Sequence, residues 1–126
     1  VIPSPEQIKE IWFAFNLVAN YINNKNLKKG GRPDKLAKYL EAVLLVYPNN
    51  PYMPLFAGLC HVLLGNQEHA QNHLDKTKKN LQDSKYWHNR FTQFDLTGIV
   101  TNFPKNAEEL RNALEPLQKR YSEWTE

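Results

Sequence analysis

The residues of this sequence whose types and spacing bear on chemistry are its histidines, its one cysteine and the carboxylates near them. His69 and His73 stand four apart, which sets two side chains on one face of a helix, and Glu68 and Asp75 flank them. Two imidazoles are half of a His/carboxylate metal site, and a site needs a third ligand. His61 and His88 fall on other predicted helices. The expectation is therefore ordinary surface or interhelical histidines, with no metal-ligating residue assigned. Cys60 precedes His61 directly, and adjacent helix positions point apart, so the two do not form a nucleophile and its base. Cys60 reads as a small buried thiol. No catalytic and no cofactor-binding residue is assigned.

The strongest electrostatic feature is basic. Lys25, Lys28, Lys29, Arg32, Lys35 and Lys38 face only Asp34 between positions 25 and 38, a local charge of about +5. Such a stretch binds phosphate, RNA or an acidic protein surface, or simply stays solvated. Only Tyr39 lies near it, whereas nucleic-acid modules interleave aromatics with their basic residues and exceed this chain's pI ≈ 9.0. The sequence thus points away from a nucleic-acid partner.

These residues are positioned by helices whose ends are marked. Ser4-Pro5-Glu6-Gln7 is an N-cap, a first-turn proline and a capping-box glutamine. Ile8, Ile11, Trp12, Phe15, Val18 and Ile22 then recur at helical steps. A second helix starts at Pro33-Asp34, carries Leu36, Leu40, Val43 and Leu44, and stops at Tyr47-Pro48-Asn49-Asn50-Pro51. A third runs from Tyr52 to Gly65, which is placed as a left-handed C-cap, and Asn66 is placed to cap the fourth. Ser84 opens a fifth, Thr97-Gly98-Ile99 to Pro104 reads as a loop or broken turn, and Asn106-Ala107-Glu108-Glu109 opens the last, with Pro116 predicting a kink. No segment alternates as an exposed strand would. The expectation is an all-α fold of about six helices in three antiparallel hairpins, near 4–47, 51–82 and 84–124, within a single domain spanning 1–126.

Sliding the chain by 34 residues pairs Val18 with Tyr52, Ile22 with Phe56, Gly31 with Gly65, Asp34 with Glu68, Leu36 with Ala70 and Leu40 with Leu74. That period, with Gly58, Gly65, Ala70 and Leu74, resembles the tetratricopeptide repeat, which implies a right-handed superhelix of hairpins. Small residues at Gly58 and Ala70 let two helices approach closely. In that family the third helix lines a concave groove, which implies Tyr52, Leu55, Leu59 and Val62 as a candidate interaction groove, with Lys28, Lys29, Arg32 and Lys35 as its basic rim. A narrower resemblance lies in Asn23-Asn24-Lys25-Asn26-Leu27-Lys28-Lys29-Gly30-Gly31 and in Tyr47-Pro48-Asn49-Asn50-Pro51. These look like the C-terminal helical region of cobalamin-binding radical S-adenosylmethionine enzymes. The resemblance implies a parent that holds an iron–sulfur cluster, S-adenosylmethionine and cobalamin in its other domains. With one cysteine and no Cys-x-x-x-Cys-x-x-Cys run, this chain holds none of them itself.

Composition bounds the rest. The chain has 126 residues, 41% hydrophobic and 23% charged, with a net charge of +3, which describes one folded domain rather than a disordered or low-complexity chain. The start Val1-Ile2-Pro3 reads as a trimmed piece without a leader, no apolar run approaches a membrane span, and the lone cysteine fits a reducing, cytoplasmic setting. The function expected is a non-catalytic accessory domain that binds a protein or another domain of its own chain. The alternatives are a free-standing repeat adaptor for a partner peptide or helix, and an RNA-binding helical domain.

Overall fold

The computed structural model describes residues 4–23, 33–93 and 96–125. They form seven helices and no strand: α1 (Pro5–Asn23), α2 (Pro33–Val46), α3 (Tyr52–Leu64), α4 (Gln67–Asp83), α5 (Lys85–Gln93), α6 (Thr97–Thr101) and α7 (Ala107–Thr125). The all-α expectation is met. Where six helices were expected there are seven, because the 97–101 stretch is a one-turn helix. Leu96, Ile99 and Val100 are buried there, so tertiary burial holds a turn that its Thr and Gly residues would not favour alone.

At the centre lies α3. Every residue from Tyr52 to Val62 is buried, including the fully enclosed Met53, Leu55, Phe56 and Leu59. A helix apolar all round has to be surrounded. Its neighbours α2 and α4 pack along it, α1 and α7 meet it on other sides, and α7 also touches α1. Each neighbour buries one stripe at helical spacing: Ile11, Ala14, Phe15 and Val18 from α1, Leu36, Ala37 and Leu40 from α2, Ala70, Leu74, Thr77 and Leu81 from α4, Leu110 and Leu114 from α7. Each fully buried aliphatic or aromatic side chain contributes roughly 1.5–3 kcal/mol of transfer free energy.

Two turns set how α2, α3 and α4 slide against one another. In the first, the buried Asn50 accepts from the backbone N–H groups of Tyr52 (2.8 Å) and Met53 (3.3 Å), capping α3, and its amide donates to Gln7 Oε1 of α1 (2.7 Å). The buried Asn80 of α4 donates to the carbonyls of Asn50 (3.0 Å) and Pro48 (3.2 Å), fixing α4 to the same turn. The second turn ends α3 at Gly65, whose φ of 77° is the left-handed C-cap expected. Asn66 differs: its side chain makes no cap bond to α4. Ser4, Ser84 and Asn106 do cap their helices, accepting from the N–H groups of Gln7, Trp87 and Glu109.

Close approach of α3 and α4 is built in at Gly58. A Cβ there would fall 3.3 Å from His73 Cβ and 3.4 Å from the Ala70 carbonyl oxygen. The small-residue contact expected of Gly58 and Ala70 is present.

Two substitutions test these constraints. Asn50→Ala leaves two buried N–H donors without their cap and should lower stability by about 1–3 kcal/mol in a denaturant titration. Gly65→Ala meets no neighbour, so its loss of about 1–2 kcal/mol is backbone strain alone, and Gly65→Asn should lose less because Asn tolerates that conformation.

Candidate metal centre

The two turns that fix α2, α3 and α4 also decide which polar side chains meet. Glu41 and His61 lie equally far from Pro51 on either side, and His61 and His69 equally far from Gly65. Antiparallel neighbours joined by tight turns bring such mirror positions level. Glu41 of α2 therefore faces His61 of α3, and His73 of α4 reaches the same carboxylate because Gly58 lets α4 come close.

The resulting geometry is compact. Glu41 Oε1 lies 2.9 Å from His61 Nε2 and 3.1 Å from His73 Nε2. The three donor atoms all fall within 4.8 Å of one another, the one such grouping among the described residues. The His61 ring stacks on His73 at 5.3 Å and 15°, and on His69 at 5.1 Å and 26°. The amide of Asn66, freed from helix capping, sits 3.5 Å from His61 Nδ1. The imidazoles are largely enclosed, with side chains 11% and 16% exposed, while the Glu41 side chain at 42% opens the cluster to solvent.

Electrostatics set the protonation state. Burial by itself would raise the Glu41 carboxyl, but the hydrogen bonds from His61 and His73, and their charge, hold it below the usual value. Burial also pushes the His73 imidazole down, outweighing the pull of Glu41, and the neighbouring His61 and His69 act the same way. Near neutral pH the Glu41 carboxylate is ionised and accepts N–H bonds from both rings. Both shifts make the cluster acid-sensitive. The folded chain resists protonation of His73 once pH falls below the ordinary imidazole value, and the Glu41 contribution is lost on further fall through its lowered value.

A sequence reading that scores spacing within single helices sees His69 and His73 and misses the cluster, since its members come from three helices. Mirror symmetry about Pro51 finds Glu41 opposite His61, and about Gly65 it pairs His61 with His69, one turn short of His73.

The groove residues behave differently from their expectation. Tyr52, Leu55, Leu59 and Val62 are 3%, 0%, 0% and 5% exposed, so they are core under neighbouring helices and line no open groove. Burial raises the Tyr52 hydroxyl well above its ordinary value, with only partial relief from Arg90. Of the basic rim, Lys35 is exposed in the first turn of α2, while Lys28, Lys29 and Arg32 lie outside the described residues. His88 is exposed on α5.

Cys60 is buried in the core, and burial, with the nearby Glu41 charge adding to it, pushes its thiol up to about 12. That matches an inert structural thiol. It should not react with a disulfide reagent at pH 8 in the folded chain, and should titrate as one thiol per chain after denaturation. Brisk native-state labelling would contradict this packing.

Comparison with family models, with curated proteins and with solved structures gave no match. The tetratricopeptide and radical S-adenosylmethionine resemblances gain no relative from it, and the site stands on its geometry.

Proposed function

We propose that this chain is a non-catalytic helical accessory module that binds one divalent transition-metal ion, of the Zn²⁺ kind, at Glu41, His61 and His73. The observation that carries the proposal is the convergence of two Nε2 atoms on one carboxylate oxygen from three different helices, at 2.9 and 3.1 Å. A tetrahedral ion with bonds of 2.0–2.1 Å holds its ligands about 3.3 Å apart, so each Glu41–His pair need open by only a few tenths of an ångström, and all three donor atoms already lie within 4.8 Å. Two imidazoles and one carboxylate suit Zn²⁺ and its transition-metal neighbours, whereas Ca²⁺ and Mg²⁺ take oxygen ligands. An ionised Glu41 carboxylate and a His73 imidazole pushed toward its neutral form suit the charge state a metal requires. Each ring would only have to carry its proton on Nδ1 instead of Nε2, and for His61 the Asn66 amide stands where its oxygen, once turned, could accept that proton. The ion would pin α2 to the α3–α4 hairpin, the part of the chain that stacks neighbour on neighbour as a helical-repeat reading requires.

Calorimetry should show one Zn²⁺ per chain and a thermal midpoint that rises with Zn²⁺ but not with Mg²⁺. At a free ion concentration a hundredfold above Kd the added stability is about 2.7 kcal/mol. His73→Ala and Glu41→Gln should each weaken binding by at least about tenfold, because even outer-shell partners are worth that much. No saturable binding at micromolar Zn²⁺ would reduce the cluster to an interhelical hydrogen-bond clamp.

A second reading, docking on a protein or on another domain of the same chain, is favoured by Leu45 and Val46, which are 84% and 69% exposed at the end of α2. A photo-crosslinker placed at Leu45 should then trap one defined partner; crosslinks to nothing would mean that the exposure is incidental.

A further inference from the structure

This inference rests on the metal-binding reading above and concerns the coordination position that reading leaves open. Glu41, His61 and His73 would supply three ligands, their donor atoms lying within 4.8 Å of one another, and a tetrahedral ion needs a fourth. Sites with three protein ligands keep the fourth for water or substrate, whereas structural sites close it with a fourth side chain. Of the groups nearby, Cys60 belongs to the core and is not among the donors gathered at the cluster. His69 is the remaining candidate. It lies one turn before His73 on α4, the spacing at which two imidazoles on a single helix grip the same ion. Its ring already rests against His61 at 5.1 Å.

We propose that His69 is the fourth ligand, so that the bound ion is enclosed by three imidazoles and one carboxylate. In the metal-free arrangement His69 stands outside the set of donors within 4.8 Å, and it is exposed, so its ring can swing from the His61 stack toward the ion without disturbing the core. The exchange is one ring stack for one coordinate bond. The Glu41 side is where the cluster meets solvent, and a ring brought in from the α4 surface would shield it. The closed shell has no position for a substrate. Its role is then to hold three helices together, and the ligand class is a tetrahedral-preferring cation.

The test uses the full chain with Zn²⁺ for affinity and Co²⁺ as a spectroscopic substitute. The wild-type Co²⁺ form should show the intense visible absorption of a four-coordinate ion and should not change with excess azide. His69→Ala, at an exposed position, should keep the helical far-UV signal and lose at least about tenfold in Zn²⁺ affinity. Its Co²⁺ spectrum should shift on adding azide, which takes the vacated place. A wild-type spectrum that responds to azide, or a His69→Ala chain that binds Zn²⁺ as tightly as wild type, overturns the fourth ligand. His73→Ala separates the two failures: if it abolishes binding while His69→Ala changes nothing, the three-ligand site stands and only His69 falls. If the wild type binds neither ion, both fall.

Discussion

The helix from Tyr52 to Leu64 presents apolar side chains around its whole circumference, and most of the architecture follows from the need to cover it. A stripe-faced helix is satisfied by one neighbour; this one needs several, and α1, α2, α4 and α7 all lie against it. Covering it on every side requires tight turns at both ends, so that the chain folds back at once. The turn before it is built on Asn50 and the turn after it on Gly65. The same need explains α7, which returns to touch both α1 and α3. First and last helices therefore meet, a closure that an open stack of hairpins would not give.

Against that apolar background His61 is an anomaly that must be answered. It is 9% exposed, near the C-terminal end of the most buried helix, and an imidazole there without a partner would cost on the order of 1–3 kcal/mol. Glu41 supplies the partner, and His73 shares it. Yet a buried polar cluster is a poor route to stability, since well-packed apolar side chains in its place are commonly neutral or better. Leu or Met at these positions would pack α2, α3 and α4 with no desolvation to offset. Three titratable side chains from three helices nonetheless converge on one point, each burying part of a polar group to do so.

Local rules reached the helix ends well. Ser4, Gly65, Ser84 and Asn106 each act within three residues of themselves, and each does what its residue type favours. The stop at residues 47 to 51 was legible for the same reason, though not the role of Asn50, whose amide reaches Gln7 in α1. Where the outcome depended on distant neighbours, sequence logic failed. Thr97–Thr101 is helical because Ile99 and Val100 are covered from outside. Asn66 makes no cap bond to α4, and its Nδ2 lies 3.5 Å from His61 Nδ1, a neighbour that only the turn brings near. Tyr52, Leu55, Leu59 and Val62 looked like a groove because residue type does not tell an open apolar face from a filled one. The Glu41–His61–His73 centre was hidden because spacing within one helix says nothing about what lies across a turn.

The centre and the exposed end of α2 are not independent. Leu45 follows Glu41 by one helical turn, so the carboxylate and the most exposed large apolar side chain share a face of α2. This helix buries only Leu36, Ala37 and Leu40 fully, all in its first half, which leaves its second half held chiefly by half-buried Val43 and Leu44 and by the Glu41 contacts. An ion on Glu41 would therefore stiffen the segment that carries Leu45 and Val46. A partner seated on those two residues would in turn restrain the carboxylate. Whatever free energy couples the two events must act equally in both directions, so an ion that strengthens docking is itself held more tightly in the docked state. In physical terms, the proposed docking and the proposed ion would be two loads on the same half-helix.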